Sequence, residues 1–75
     1  MVATKVKIQT IGRSRQESLV LALKRFADGW TYEVEGLMSG TLPLPWRTAT
    51  RREAEHKLKA SYDDTVWTIT VTESD

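Results

Sequence analysis

Apolar and polar residues alternate near the start of the chain. Val2, Val6 and Ile8 interleave with Lys5, Lys7 and Gln9, which predicts a strand over about residues 3 to 11 with one apolar and one basic face. Gly12 breaks it. Ser14 stands three residues before Glu17, the spacing at which a hydroxyl and a carboxylate cap each other's amides at a helix start. Leu19, Leu23 and Phe26, flanked by Val20, Ala22 and Ala27, then form a broad stripe. Together they predict a helix from about 15 to 27, with Lys24 and Arg25 at its negative end and Gly29 closing it. Trp30, Tyr32 and Val34 alternate with Thr31, Glu33 and Glu35, a second one-sided strand. Gly36 and Ser39-Gly40 mark a turn.

Residues 41 to 72 read as an extended segment, a capped helix and a strand. Thr50 precedes Glu53 by three, and Ala54, Leu58 and Tyr62 recur every fourth residue, which stacks them on one helix face. Asp63 and Asp64 favour a turn. Beyond them the period becomes two: Trp67, Ile69 and Val71 fall on one face, and Val66, Thr68, Thr70 and Thr72 on the other.

If the segment around TLPLPWR pairs as a strand, this order is βαββαβ, an α+β two-layer sandwich of ferredoxin-like topology with two helices on one face of the sheet. Pro43 and Pro45 complicate its third strand, which lies inside such a sheet and needs every backbone donor. Either that strand is short and begins near Leu44, or the segment is an irregular connection and the sheet has three strands. The predicted core is Val6, Ile8, Leu19, Leu23, Phe26, Trp30, Tyr32, Val34, Leu58, Trp67, Ile69 and Val71.

Composition narrows the function. Seventy-five residues hold one small domain, residues 1–75. The absence of cysteine rules out disulfides and thiolate zinc sites. A single histidine, His56, rules out a histidine metal cluster. No cofactor is expected. No apolar run approaches the length of a membrane span, and the predicted setting is cytoplasmic, with no membrane partner. Eleven basic against ten acidic residues give none of the surplus usual in a dedicated phosphate-backbone binder.

Candidate chemistry is sparse. His56 falls off the Ala54-Leu58-Tyr62 stripe, so it is expected at the solvent side or rim; a deep pocket around it would point to an enzyme. Glu33 and Glu35 share a strand face, as do Lys5 and Lys7, and cross-strand pairing accounts for all four. Arg13 and Arg15 flank a strand-to-helix turn suited to an anion. The expected topology is that of RNA-recognition modules, yet alternation puts Trp30, Tyr32 and Trp67 under the helices and leaves the open face without stacking platforms. From Trp30-Thr-Tyr-Glu-Val through Trp46-Arg-Thr-Ala-Thr-Arg-Arg-Glu-Ala-Glu, roughly residues 30 to 60, the chain resembles the small DNA-binding arm domains of tyrosine recombinases. In those a three-stranded sheet packs on a helix opened by a T-x-x-E-A sequence, here Thr50-Arg-Arg-Glu53-Ala54. The chain departs from that pattern by the elements in front and by lacking a clear middle strand.

The expected function is therefore a small, non-catalytic binding module whose partner is another protein. The contact region would be residues 37 to 47 and the second helix start, with Leu44, Trp46 and Arg47 as its centre, since Trp and Arg are enriched at interface hot spots. The alternative is nucleic-acid binding through Arg47, Arg51, Arg52 and Lys57. The chain is expected to be a monomer or a weak homodimer.

Overall fold

The computed structural model describes residues 2–12, 17–37, 40–62 and 66–74. Five strands and one helix follow one another: β1 Ala3–Thr10, β2 Ser18–Phe26, β3 Gly29–Leu37, β4 Gly40–Pro43, α1 Arg51–Ser61 and β5 Trp67–Ser74. The strands form one antiparallel sheet in the order β4-β3-β2-β1-β5. The ferredoxin-like arrangement is overturned: the described residues hold one helix, and the sheet is a meander extended by β5.

The error lies in residues 18 to 26. Leu19 and Leu23 are four apart, but Leu21 between them is fully buried, and Leu19, Leu21 and Leu23 alternate along one face of β2. Ala22, on the other face, is buried as well. With apolar residues on both of its faces, Leu19, Leu21 and Leu23 on one and Val20, Ala22 and Phe26 on the other, β2 reads as a nearly continuous apolar run, which helical and strand periods both fit. Glu17 closes a hairpin: its amide donates to Thr10 Oγ1 at 3.1 Å, and Thr10 N–H donates to its carbonyl at 3.0 Å. Ser14, with Arg13 and Arg15, lies outside the described residues.

The proline difficulty resolves by position. The third strand of the expected fold becomes β4, which ends at Pro43 and does not begin near Leu44. It lies at the sheet edge, where a missing donor costs little. β4 and β5 are opposite edges running in the same direction, and α1 crosses the sheet between them.

Below α1 the core is Ala3, Val6, Ile8, Leu21, Tyr32, Val34, Ala54 and Leu58, with Leu19, Leu23, Leu44, Trp46, Trp67 and Ile69 packed against it. Tyr62 ends the helical stripe edge-on to Trp67, centroids 5.6 Å apart. Two expected core members differ. Val71 is 46% exposed, because it sits near the end of an edge strand, and Phe26 points to the face away from α1, under the Arg47 guanidinium. On that open face Lys5 reaches Glu35 at 3.8 Å. The pair spans β2, since β1 and β3 are not neighbours, and it passes over the small Ala22. No helix among the described residues is long and apolar enough to cross a membrane.

One backbone unit ties the layers together. The register of β1 shifts between Ala3 and Lys5, and Ala3 turns to side chains: its N–H donates to Glu55 Oε2 of α1 at 2.5 Å, and its carbonyl accepts from the Tyr32 hydroxyl of β3. Burial, and then the Glu55 carboxylate, push the Tyr32 phenol up to about 12. An unfolded tyrosine loses its proton near pH 10, so above that pH the folded state holds a proton that the unfolded state has released. Stability should therefore fall by about 1.4 kcal/mol per pH unit between about pH 10 and 12, with Tyr62, also raised by burial, acting in the same direction. Tyr32→Phe should cost about 1–3 kcal/mol at pH 7, because the Ala3 carbonyl loses its donor. Urea titrations from pH 8 to about 11.5 should then give a shallower alkaline decline for the variant.

Candidate binding groove

The start of α1 is fixed twice. Thr50, in an extended conformation (φ −129°), accepts the Glu53 N–H at 3.2 Å, which satisfies one orphan donor of the helix start, and donates its hydroxyl to the Glu53 carboxylate at 3.1 Å, a bond between the two side chains. Just before it, Thr48 bridges to Trp30: Trp30 N–H donates to the Thr48 carbonyl at 2.8 Å and Thr48 N–H returns the bond at 2.9 Å. Leu44 N–H donates to the Tyr32 carbonyl at 3.0 Å. The chain thus continues beside β3 past the end of β4, with Pro45, Trp46 and Arg47 bulging out between the two attachments.

Arg47 holds that bulge. Its Nη1 donates to the carbonyls of Leu44 at 2.7 Å and Trp46 at 2.9 Å, and its Nε to Asp28 Oδ1 at 3.0 Å. The guanidinium lies 4.7 Å from the centroid of Phe26. Gly29 makes room for the arrangement. At φ +136° it takes a conformation that side chains rarely adopt, and a Cβ there would sit 2.6 Å from the Thr48 carbonyl oxygen.

The same bulge and the flank of α1 enclose an open groove of about 640 Å³. Arg47, Thr48 and Ala49 form one wall; Arg52, Glu53, His56, Lys57 and Ala60 form the other. On the helix these recur at intervals of three and four, so they make one stripe. Arg52, His56 and Lys57 are exposed. The carboxylates nearby are engaged: Asp28 with Arg47, Glu53 in the cap, and Glu55 with Ala3 and, at 3.9 Å, with Lys59. Three cationic side chains, Arg47, Arg52 and Lys57, thus line the groove against one carboxylate, Glu53.

Of the residues expected to bind, Arg47, Arg52 and Lys57 come together at this groove. Trp46 adjoins it, half-buried against the core, with the Lys57 ammonium 5.6 Å from its ring centroid. Arg51 stands elsewhere at the helix start, 5.8 Å from the centroid of Trp30, which Arg25 approaches to 5.9 Å. Leu44 is half-buried and packs inward. Sequence reasoning placed His56 at a rim without seeing that it shares a wall with Arg52 and Ala60, although their four-residue spacing carries that signal. Thr48, Ala49 and Arg25 were not anticipated, because their roles depend on how the bulge lies on β3.

His56 is exposed in an open groove, not enclosed in a deep pocket. Among the described residues no nucleophile or carboxylate is hydrogen-bonded to it.

Gly29→Ala should destabilise the protein by about 2–4 kcal/mol, combining an unfavourable φ with a backbone clash. Gly12, at φ +59° with open space around its Cα, should lose only about 1 kcal/mol on the same change. Chemical denaturation of the two variants side by side separates crowding from backbone strain.

No family model, curated protein or solved structure matches this chain.

Proposed function

We propose that this chain is a small, non-catalytic binding module that takes an acidic segment of a partner protein into the groove beside α1. The observation that carries this is the unequal engagement of charge there. Arg52, His56 and Lys57 are exposed along one wall, while Asp28, Glu53 and Glu55 are committed to internal contacts. An incoming carboxylate meets donors on the helix flank without displacing an existing ion pair, and arginine offers it a bidentate fork. Ala49 and Ala60 keep the groove open, and Trp46 supplies an aromatic edge beside Lys57.

A second reading has its own support. Arg51 and Arg25 flank Trp30 beyond the groove, extending positive charge around the helix start in a way that suits a nucleic-acid backbone. The two readings differ in ligand and in salt response, because phosphate binding releases condensed counterions.

Amide-resolved NMR titration with a glutamate-rich peptide should move resonances of residues 47 to 60. Arg52→Glu combined with Lys57→Glu should weaken that binding by about tenfold or more, the effect of reversing two rim charges, while the melting temperature stays nearly unchanged. If the peptide moves no amide of this stretch, yet a single-stranded oligonucleotide moves the amides around Trp30, Arg51 and Arg52 with steep salt dependence, the nucleic-acid reading replaces the first. Shifts centred on Lys5 and Lys7 of the open face would overturn both.

A further inference from the structure

The two edges of the sheet are built differently. β4 is four residues long, ends at Pro43, and is followed by Pro45, so it offers little to an added strand. β5 is eight residues long and contains no proline or lysine. From Trp67 to Val71 it pairs with β1 in unbroken register, Thr10↔Trp67 to Val6↔Val71, and this stretch, Trp67-Thr-Ile-Thr-Val, is uncharged. Ile11 N–H donates to the Val66 carbonyl at 2.9 Å, which sets the phase of the ladder. By the alternation of antiparallel pairing, Thr68 and Thr70 turn their backbone groups toward β1, and Trp67, Ile69 and Val71 turn theirs outward. Beyond Val71 the register shifts and regular pairing stops.

We infer that the outer edge of β5 is a dimer interface, on which β5 of a second copy pairs antiparallel about Ile69. The occupant follows from the self-complementarity of the edge. Centred on Ile69, the outward groups of Trp67 meet those of the partner's Val71, and Ile69 meets its own copy. The regular stretch is then used from end to end. Side chains agree with the backbone. Opposite residues share a face, so Trp67 covers the partner copy of Val71, itself 46% exposed in the single chain, and aromatic with β-branched pairs are favourable across antiparallel strands. On the open face Thr68 stands opposite Thr70.

Charge raises no objection to the same register. Lys7 pairs with Thr70 and Gln9 with Thr68, so a row across the interface reads Lys7, Thr70, Thr68, Gln9. No two lysines face each other. The paired charges Lys5, Lys7, Glu33 and Glu35, of the kind that guard a sheet edge, stand on β1 and β3, which are interior strands, and not on the Trp67–Val71 stretch. The two-fold axis runs through the sheet, so both helices and both grooves lie on one side of a ten-stranded sheet.

Sedimentation equilibrium from about 20 µM to about 1 mM should show a reversible dimer, half-associated on the order of 0.1 mM as befits a small interface. Val71→Lys should abolish it by placing a charge at the edge. Val71→Pro should do the same without a cost to the β1 ladder, since the lost N–H points outward. If the proline variant does not fold, the lysine variant decides. Hydrogen exchange gives a residue-level check: protection of the Trp67, Ile69 and Val71 amides should rise with protein concentration, while Thr68 and Thr70 stay protected throughout. A wild type that remains monomeric at the highest concentration, a dimer that survives Val71→Lys, or Ile69 and Val71 amides whose exchange ignores concentration would each overturn the inference.

Discussion

The docking of α1 depends on the backbone of one residue. A helix laid over a sheet by apolar contact alone can slide and rotate, because burial of Ala54 and Leu58 is non-directional. Ala3 removes that freedom. Its N–H is held by Glu55 of the helix and its carbonyl by Tyr32 of the sheet, so a directional bond from each layer ends on the same short piece of β1. Such bonds contribute only about 1 kcal/mol each in net terms, but breaking one strands a polar group at larger cost. The rotation of α1 that they select turns Arg52, His56 and Lys57 toward the 47–49 segment. The groove exists because the other side of the helix is pinned.

Local signals were legible in the sequence and non-local ones were not. The Thr50-Glu53 cap and the Ala54-Leu58-Tyr62 stripe lie within a dozen residues, and they mark α1 where it stands. The alternations of β1, β3 and β5 were equally plain. Ser18–Phe26 misled because β2 carries Val20, Ala22 and Phe26 on its open face as well, and Leu19 and Leu23 satisfy a helical spacing as readily as an alternation that includes Leu21. Edge or centre is a property of the assembled sheet. For that reason Pro43 argued against a strand until β4 was seen to border on a single neighbour. At the site, the clustering of Arg47, Arg52 and Lys57 was visible, yet the use of the Arg47 guanidinium on two carbonyls and Asp28 depends on the shape of the bulge.

The near balance of eleven bases and ten acids conceals a separation in space. On the open face the Lys5–Glu35 pair makes a mixed surface. Around the start of α1, acids are spent on capping, on the Ala3 amide and on Arg47, and several bases keep their charge facing outward. Net charge is a sum over the chain, whereas a ligand responds to the local field. A total of only +1 is compatible with a cationic groove.

The pairing of β1 with β5 has a kinetic consequence. β1 to β4 form from neighbouring segments, but residues 6 to 10 of β1 find their second partner only in residues 67 to 71. Closing so long a loop is entropically slow. At roughly 5–20 residues per second of synthesis, β1 waits seconds with one flank unpaired, carrying Val6 and Ile8. Lys5 and Lys7 lie on that same strand, and their mutual repulsion between nascent copies would guard it until the last strand arrives.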